Sequence, residues 1–577
     1  MSHQQPPAGR AFDFWRAVVV VVILWVGAVT WLVSANPRLL VSWHGFLHAG
    51  IASRFPSPTV TPENPFFAGQ PLPYYWWYQW LGRGVSRIAR TDPLHAFQAI
   101  ALGSLGVLVT VGALIGRSLY RSTVAGLVIG YLALLGVNPL GPGIAIVKHV
   151  VRGQPLIHHW PADPDGDVFV TDAQADDRMA RPLLGALYVE REWRRGQNLV
   201  WFFDVSSRGP ALALLMVLAY LLIDPRSHAI VGFTVVSTGA LTAALNPIIA
   251  LAAGGSLAAS AGSLWLMKRL RPNRAAAARR EIIRSLLFLV GALSAAPTYS
   301  HLLLFPDAAV MSGVDKVLLK ATAMLAGFLL VILLAWRGTK TVPIVAKPGL
   351  AVLTLAGIML IVAVPFVRLS EDNEHNFANV ASCFLAVPAA GWVVSNRGRG
   401  LLHRVGVRAT ALAVVFLPMT IAMLVAFGGR PALPLAFEGE MLRRIPRHGP
   451  LDAFYEWAVS STPPNAVLIS DPRETVKMSG NVSELPAFTH RAVFVDHRSY
   501  MTAPYRDGPL RMALATQATS GQPLGSEQLA YLRDLRRPLY IVTFHADRDE
   551  PLTALTHTLG RPVFRRDFVA VFALAQP

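Results

Sequence analysis

A chain of 577 residues that is 53% hydrophobic and only 15% charged, with a mean hydropathy of +0.43, is too apolar for a soluble enzyme and reads as a polytopic membrane protein. Its single cysteine, Cys383, excludes an internal disulfide framework and any zinc centre built from several thiolates. The formal net charge of +18 is spread over short loops and the C-terminal region, so it reads as topology information and not as a nucleic-acid surface.

In chain order, the first apolar run, Ala17 to Ala35, is preceded by Arg10 and Arg16 and followed by no small-residue cleavage site, which marks a retained anchor with a cytoplasmic N-terminus. A long outer loop, 36–95, follows. Within it "WHGFLHAGIASRF" predicts an interfacial helix whose apolar side is Trp43, Leu47, Ile51 and Phe55, with His44 and His48 at i and i+4. Next comes "ENPFFAGQPLPYYWWYQW", a proline-punctuated loop running into six aromatics within seven residues.

Further runs near the length a bilayer needs, roughly 20 residues, are Ala96 to Gly116, Ser122 to Gly141, Gly209 to Ile223, Ala229 to Leu245, Pro247 to Met267, Ser285 to Ser300, Val317 to Ala335, Gly349 to Val367, Phe377 to Val394 and Ala409 to Phe427, making eleven in all. The connections "RSLYR", "DPRSH", "MKRLRPNRAAAARREIIR", "WRGTKTVPIVAK" and "NRGRGLLHRVGVR" are the basic ones and fall inside under the positive-inside rule. The loop 36–95, a second loop 142–208 and everything after Gly428 then lie outside the cytoplasmic (inner) membrane. The spans carry few ionisable residues, Lys320 being the main exception, which disfavours ion-coupled transport. No phosphate-binding glycine motif appears.

From 429 to 577 charge density rises and the strand-like runs "NAVLIS", "RAVFVD", "PLYIVTF" and "FVAVFAL" alternate with helical patterns such as "GSEQLAYLRDLRR". That alternation predicts a small extracytoplasmic α/β domain. The fold class is therefore a polytopic α-helical membrane domain, 1–428, followed by an α/β domain.

The architecture resembles the C-type membrane glycosyltransferases, the GT-C superfamily. Three stretches carry the resemblance: "WHGFLHAGIASRF" with "PENPFFAGQPLPYYWW", "FFDVSSRGPALALLMVLAYLL", and "EDNEHNFANVASCFLAVPAAG". The resemblance implies transfer of a sugar from a polyprenyl-phosphate donor to a glycan, lipid or protein acceptor outside the membrane, with membrane lipid as a further partner and no nucleic acid. It also implies an Asp or Asp-Glu pair after the first span, where this chain has Ser42, Trp43 and His44, and no carboxylate before Glu63.

The residues able to deprotonate or orient an acceptor hydroxyl are His44, His48 and Glu63. Tyr74, Tyr75, Trp76, Trp77 and Trp80 either anchor the chain at the interface or wall a sugar cleft. Arg368, His375 and Asn376 are placed to hold a phosphate, and Asp372 with Glu374 offers a site for a divalent cation, Mg or Mn. Each pair has a plainer reading: His44 and His48 as structural histidines, Asp372 and Glu374 as a solvated loop. The alternative function is a non-catalytic or transport-related protein of the same fold that handles glycolipid or envelope intermediates.

Overall fold

The computed structural model describes residues 44–55, 62–136, 198–203, 206–224, 229–269, 275–299, 317–341, 347–367, 375–394, 401–415, 450–474, 482–496, 501–547 and 549–574, with the single positions 19, 23 and 27. Its helices in the N-terminal part are α1 (Gly45–Ser53), α2 (Trp77–Ala89), α3 (Pro93–Tyr120), α4 (Thr123–Leu135), the single turn α5 (Val200–Phe203), α6 (Arg208–Ile223), α7 (Ala229–Leu245), α8 (Pro247–Arg269), α9 (Ala275–Ser294), α10 (Val317–Gly338), α11 (Lys347–Ala363), α12 (His375–Ala390) and α13 (Leu401–Val415). Among the described residues four stretches are long and apolar enough to cross a membrane, Pro93–Tyr120, Pro247–Met267, Arg279–Tyr299 and Pro348–Phe366, and α4, α6 and α7 are shorter apolar helices.

Most predicted runs lie on these helices; Ala229 to Leu245 coincides with α7. The first run lies outside the described residues except for three helical positions, 19, 23 and 27. The run starting at Ser285 was placed too late. Helix α9 begins at Ala275, inside the basic stretch read as a connection, because "AAAARREIIR" is built of strong helix formers. Its Arg284 then donates to the carbonyls of Leu221 and Asp224, 2.6 Å each, satisfying the C-terminal end of α6.

Helix α12 is the axis of the bundle. All its residues but Phe377 are buried, and α4, α6, α8, α10 and α11 pack around it. Small residues set the closest approaches: a Cβ on Gly116 would lie 2.2 Å from the backbone nitrogen of Gly126, so α3 and α4 touch backbone to backbone.

The C-terminal part comprises α14 (Pro450–Ser461), β1 (Val467–Ser470), α15 (Leu485–Thr489), β2 (Ala492–Val493), α16 (Gly508–Thr519), α17 (Ser526–Arg533), β3 (Leu539–Thr543), α18 (Asp549–Leu559), β4 (Phe564–Arg566) and β5 (Val569–Leu574). The strands form one sheet in the order β2-β1-β3-β5-β4. Strand β1 runs parallel to β2 and β3, with Val467 opposite Leu539, while β5 is antiparallel to β3 and β4.

The segment 65–68 completes this sheet. Beyond β2, the Val493 N–H donates to the Pro65 carbonyl at 2.9 Å and the Ala68 N–H to the Val493 carbonyl at 3.0 Å. Phe67, fully buried, enters the core formed by Val467, Ile469, Phe494 and Phe572 and stacks on Tyr505 at 4.6 Å. Arg511 lies 4.2 Å over the Phe67 ring and donates to the carbonyls of Ala68 (2.7 Å) and Phe494 (3.0 Å). Helix α1 is buried on every side, packed on α15, and not laid in an interface as its spacing predicts; Gly50 has no room for a Cβ between Phe66 and Pro486.

Candidate functional site

One end of the helical bundle gathers the polar groups. Three helices begin there: α6 at Arg208, α8 at Pro247 and α12 at His375. They pack on one another. Asn246 caps α8, its side-chain oxygen accepting the Ile249 N–H at 3.0 Å, and Pro247 sits at the first helical position, where a missing N–H costs nothing. Each of these helix N-termini carries a partial positive charge that favours an anion, offset in part by the C-terminus of α7, which ends at Leu245 directly before Asn246.

Side chains tie these ends to the outer loop. Tyr74 and Tyr75 stack with ring centroids 4.1 Å apart, and the Tyr74 hydroxyl donates to that of Tyr75 at 2.9 Å. The Tyr75 hydroxyl lies 3.3 Å from Ser207 Oγ, which accepts from Asn246 Nδ2 at 3.2 Å. Tyr299 packs edge-on to Tyr75 and donates to the Ala244 carbonyl. Trp201 joins two further groups: the Arg208 guanidinium lies 4.0 Å from its ring centroid, and the His375 ring stacks on it at 5.3 Å. Trp201 and His375 are 7% and 6% exposed, and Asn376 is fully buried.

The predicted residues divide accordingly. Tyr74, Tyr75, His375 and Asn376 are at this end. His48 reaches it through Tyr74, 6.4 Å ring to ring, but is itself buried between the edge of Tyr78 and Phe97. Its Nδ1–H donates to the Gln79 side-chain oxygen at 2.7 Å, the amide orientation in which the Gln79 NH2 also donates to the carbonyls of Trp76 and Tyr75. That bond joins α1 to α2, which is the plainer, structural reading of His48. His44, half-buried at the start of α1, has its ring 5.9 Å from that of His48.

Trp76, Trp77 and Trp80 turn elsewhere, into a junction with Phe46, Phe55, Phe66, Val482, Ala487 and Met501. Trp76 packs on Phe55 at 5.4 Å and stacks on Trp77 at 5.6 Å. Of the aromatic run, Tyr74 and Tyr75 therefore wall the polar end, while Tyr78 packs on Phe97.

Glu63 is not there either. Its carboxylate is shared between Arg54, at 2.8 Å, and Arg537, and also accepts the Gly69 N–H at 2.8 Å. Burial opposes its ionisation, but the Arg537 hydrogen bond, the Gly69 N–H and the two guanidinium charges outweigh burial and hold the carboxyl below its ordinary range. A carboxylate so engaged clamps the outer loop to the C-terminal domain and is a poor proton acceptor. The "ENPFFAGQPLP" stretch is accordingly a strap inserted into that domain.

Arg368, Asp372 and Glu374 lie outside the described residues. Among the described residues no three His, Cys, Asp or Glu side chains come together as metal ligands. Trp201, Ser207, Arg208 and Asn246 were not singled out from the sequence, although "SSRGP" and "LNP" ahead of apolar runs are helix-start signals that place them.

A family described as an uncharacterized membrane protein (DUF2298) matches residues 3–160. No curated protein matches. Among solved structures the chain is similar to ArnT from Cupriavidus metallidurans bound to undecaprenyl phosphate (11% identity, TM-score 0.48, 98% of each chain covered) and to the same protein in the apo state (14%, 0.49, 98% of each). It is also similar to the archaeal oligosaccharyltransferase AglB from Archaeoglobus fulgidus in complex with an inhibitory peptide and a dolichol-phosphate (12%, 0.35, covering 93% of this chain and 71% of that one).

Proposed function

We propose that the chain is a membrane glycosyltransferase that moves a sugar from a polyprenyl-phosphate donor to an acceptor hydroxyl on the outer side of the cytoplasmic membrane. The observation that carries this reading is the convergence of the α6, α8 and α12 N-termini beside Arg208 at one end of the bundle. In the transfer, the acceptor oxygen bonds to the anomeric carbon as the bond from that carbon to the phosphate oxygen breaks, and negative charge builds on the departing phosphate. Fixed dipoles and a guanidinium at that point stabilise the charge without reorganising. The chain of hydroxyls from Tyr74 through Tyr75 to Ser207 supplies hydrogen bonds along one wall, and the stacked tyrosine rings offer a face for the sugar. The acceptor's proton goes to an imidazole, His44 being the more accessible of the two in the outer loop. Arg368 belongs to the same phosphate site in this reading, on sequence grounds alone. The described residues do not assemble a metal-ligand set, and no step here runs through a cation at Asp372 and Glu374.

The engagement of Glu63 favours the second reading, a protein of this fold that binds the lipid carrier without turning it over. Incubating the purified protein with a panel of polyprenyl-phosphate sugars and measuring release of polyprenyl phosphate separates the two. Release from at least one donor, lowered in His44→Ala, is expected of a transferase; carrier binding with no release from any donor would establish the second reading.

A further inference from the structure

Helix α2 presents three faces. Tyr78, Gly82 and Ser86 are buried, and a Cβ on Gly82 would lie 2.1 Å from the Phe97 ring of α3. Leu81 and Ile88 form an apolar ridge, 36% and 87% exposed. Trp76, Trp80, Arg83 and Arg87 follow one another at helical spacing on the third. Only the link from Arg90 to Asp92 separates α2 from α3, which is long and apolar enough to cross a membrane, and an exposed apolar ridge beside such a span suits contact with lipid.

The third face looks toward the end of α15. Arg54, from the end of α1, donates there to the carbonyls of Pro464 (2.7 Å) and His490 (3.5 Å). Arg491 spends its guanidinium on the last carbonyls of α14, donating to Thr462 O at 2.7 Å and Val459 O at 3.0 Å. The cations are close enough that burial, Arg83 and Arg491 together depress the His490 imidazole to about 4. Arg54 is answered by Glu63, which it shares with Arg537. Arg83 has no hydrogen bond or ion pair with any described residue, and its Nε is buried; the indole N–H groups of Trp76 and Trp77 are likewise buried without an acceptor among the described residues. Donors and positive charge thus outnumber acceptors where this face of α2 meets the C-terminal domain.

We propose that this face of α2 binds the phosphate of an anionic phospholipid headgroup in the outer leaflet, with Arg83 and Arg87 as its ligands and the Leu81–Ile88 ridge against the acyl region. It shares no residue with the polar end of the bundle and does not depend on the sugar-transfer reading. The bound lipid fastens the C-terminal domain to the membrane surface through the same helix that leads into α3.

The test uses the full-length protein, delipidated in a non-ionic detergent and titrated with phosphatidylglycerol or phosphatidylcholine, with bound lipid counted by native mass spectrometry. Phosphatidylglycerol is expected to be retained in preference to phosphatidylcholine. Each basic residue near a lipid surface is worth about 1 kcal/mol, so Arg83→Ala with Arg87→Ala should weaken retention by roughly tenfold or more, and the charge-keeping Arg83→Lys should retain most of it. Equal retention of the two lipids, or no change in the double variant, overturns the proposal. So does displacement by millimolar inorganic phosphate, which would mark a small-anion site, or by equimolar polyprenyl phosphate, which would assign this face to the carrier. Should the double variant not fold, Arg83→Gln alone decides by the same criteria.

Discussion

Two stretches adjacent in sequence, Glu63–Leu72 and Tyr74–Trp80, differ in what their polar groups do. In the first every charge is answered: Glu63 meets two guanidinium groups and an N–H, the Asn64 side chain donates to the Met501 carbonyl at 2.7 Å, and Phe66 and Phe67 are fully buried. The second stretch faces three ways, Tyr74 and Tyr75 toward the end of the bundle where α6, α8 and α12 begin, Tyr78 onto His48 and Phe97, and the tryptophans into an apolar junction. A saturated strap holds the C-terminal domain in place, and the segment it anchors is left to present hydroxyls and rings to the end of the bundle where α6, α8 and α12 begin.

The strap is the easier to break. Phe67→Ala removes a fully buried ring from the sheet core and should cost roughly 3–5 kcal/mol, read as a lower unfolding midpoint and faster proteolysis of the C-terminal domain. For the same reason a fragment starting near Leu451, whose strands read in sequence as able to fold alone, is expected to need the strap. Soluble, cooperative unfolding of that fragment without residues 62–72 would show the strap to be dispensable.

Glu63→Gln should cost less, about 1–2 kcal/mol for hydrogen bonds to charged groups at a partly exposed site, while leaving carrier binding at the bundle end unchanged. Because the folded-state carboxyl titrates below its ordinary value of 4.5, the stability it contributes is fully present above that pH and is lost as the pH falls through the folded value. The substitution should flatten the acid limb of the stability profile below about pH 4.5. A variant that instead loses sugar transfer with its stability intact would return Glu63 to the chemistry.

His490 sharpens the comparison from the other side of the junction. Its imidazole is depressed from 6.5 to about 4, so on acidification the unfolded chain takes up the proton first and stability declines between those two values. His490→Gln should remove that decline and leave the Glu63 limb, which lies lower, in place. Coincident loss of both limbs would mean the two groups titrate as one unit.

The fold was largely legible because its signals are local. The strands β1, β2, β3 and β5 lie within runs of apolar and β-branched residues, whereas β4 was missed: Phe564–Arg566 is three residues, two of them arginine. The buried state of α1 was misread because its i, i+4 pattern says which side is apolar, not that Gly45, Ala49, Gly50 and Ala52 let a second domain approach the other side. The site was legible only in part. Tyr74, Tyr75, His375 and Asn376 stand out by composition, but one of the two guanidinium groups that engage Glu63, that of Arg537, is 474 residues away, beyond any local pattern. Ser207, Arg208 and Asn246 look in sequence like ordinary helix starts, and only packing shows that three such starts meet.

That meeting is the central claim, and equilibrium binding of sugar-free polyprenyl phosphate to the full-length protein tests it most directly. Wild-type protein is expected to bind it, and Arg208→Ala, by removing a charge-assisted contact worth about 1.5–3 kcal/mol, should weaken binding by roughly ten- to a hundredfold, with Glu63→Gln unchanged. Wild-type protein that fails to bind the carrier, or an Arg208→Ala variant that binds it equally well, would contradict the account.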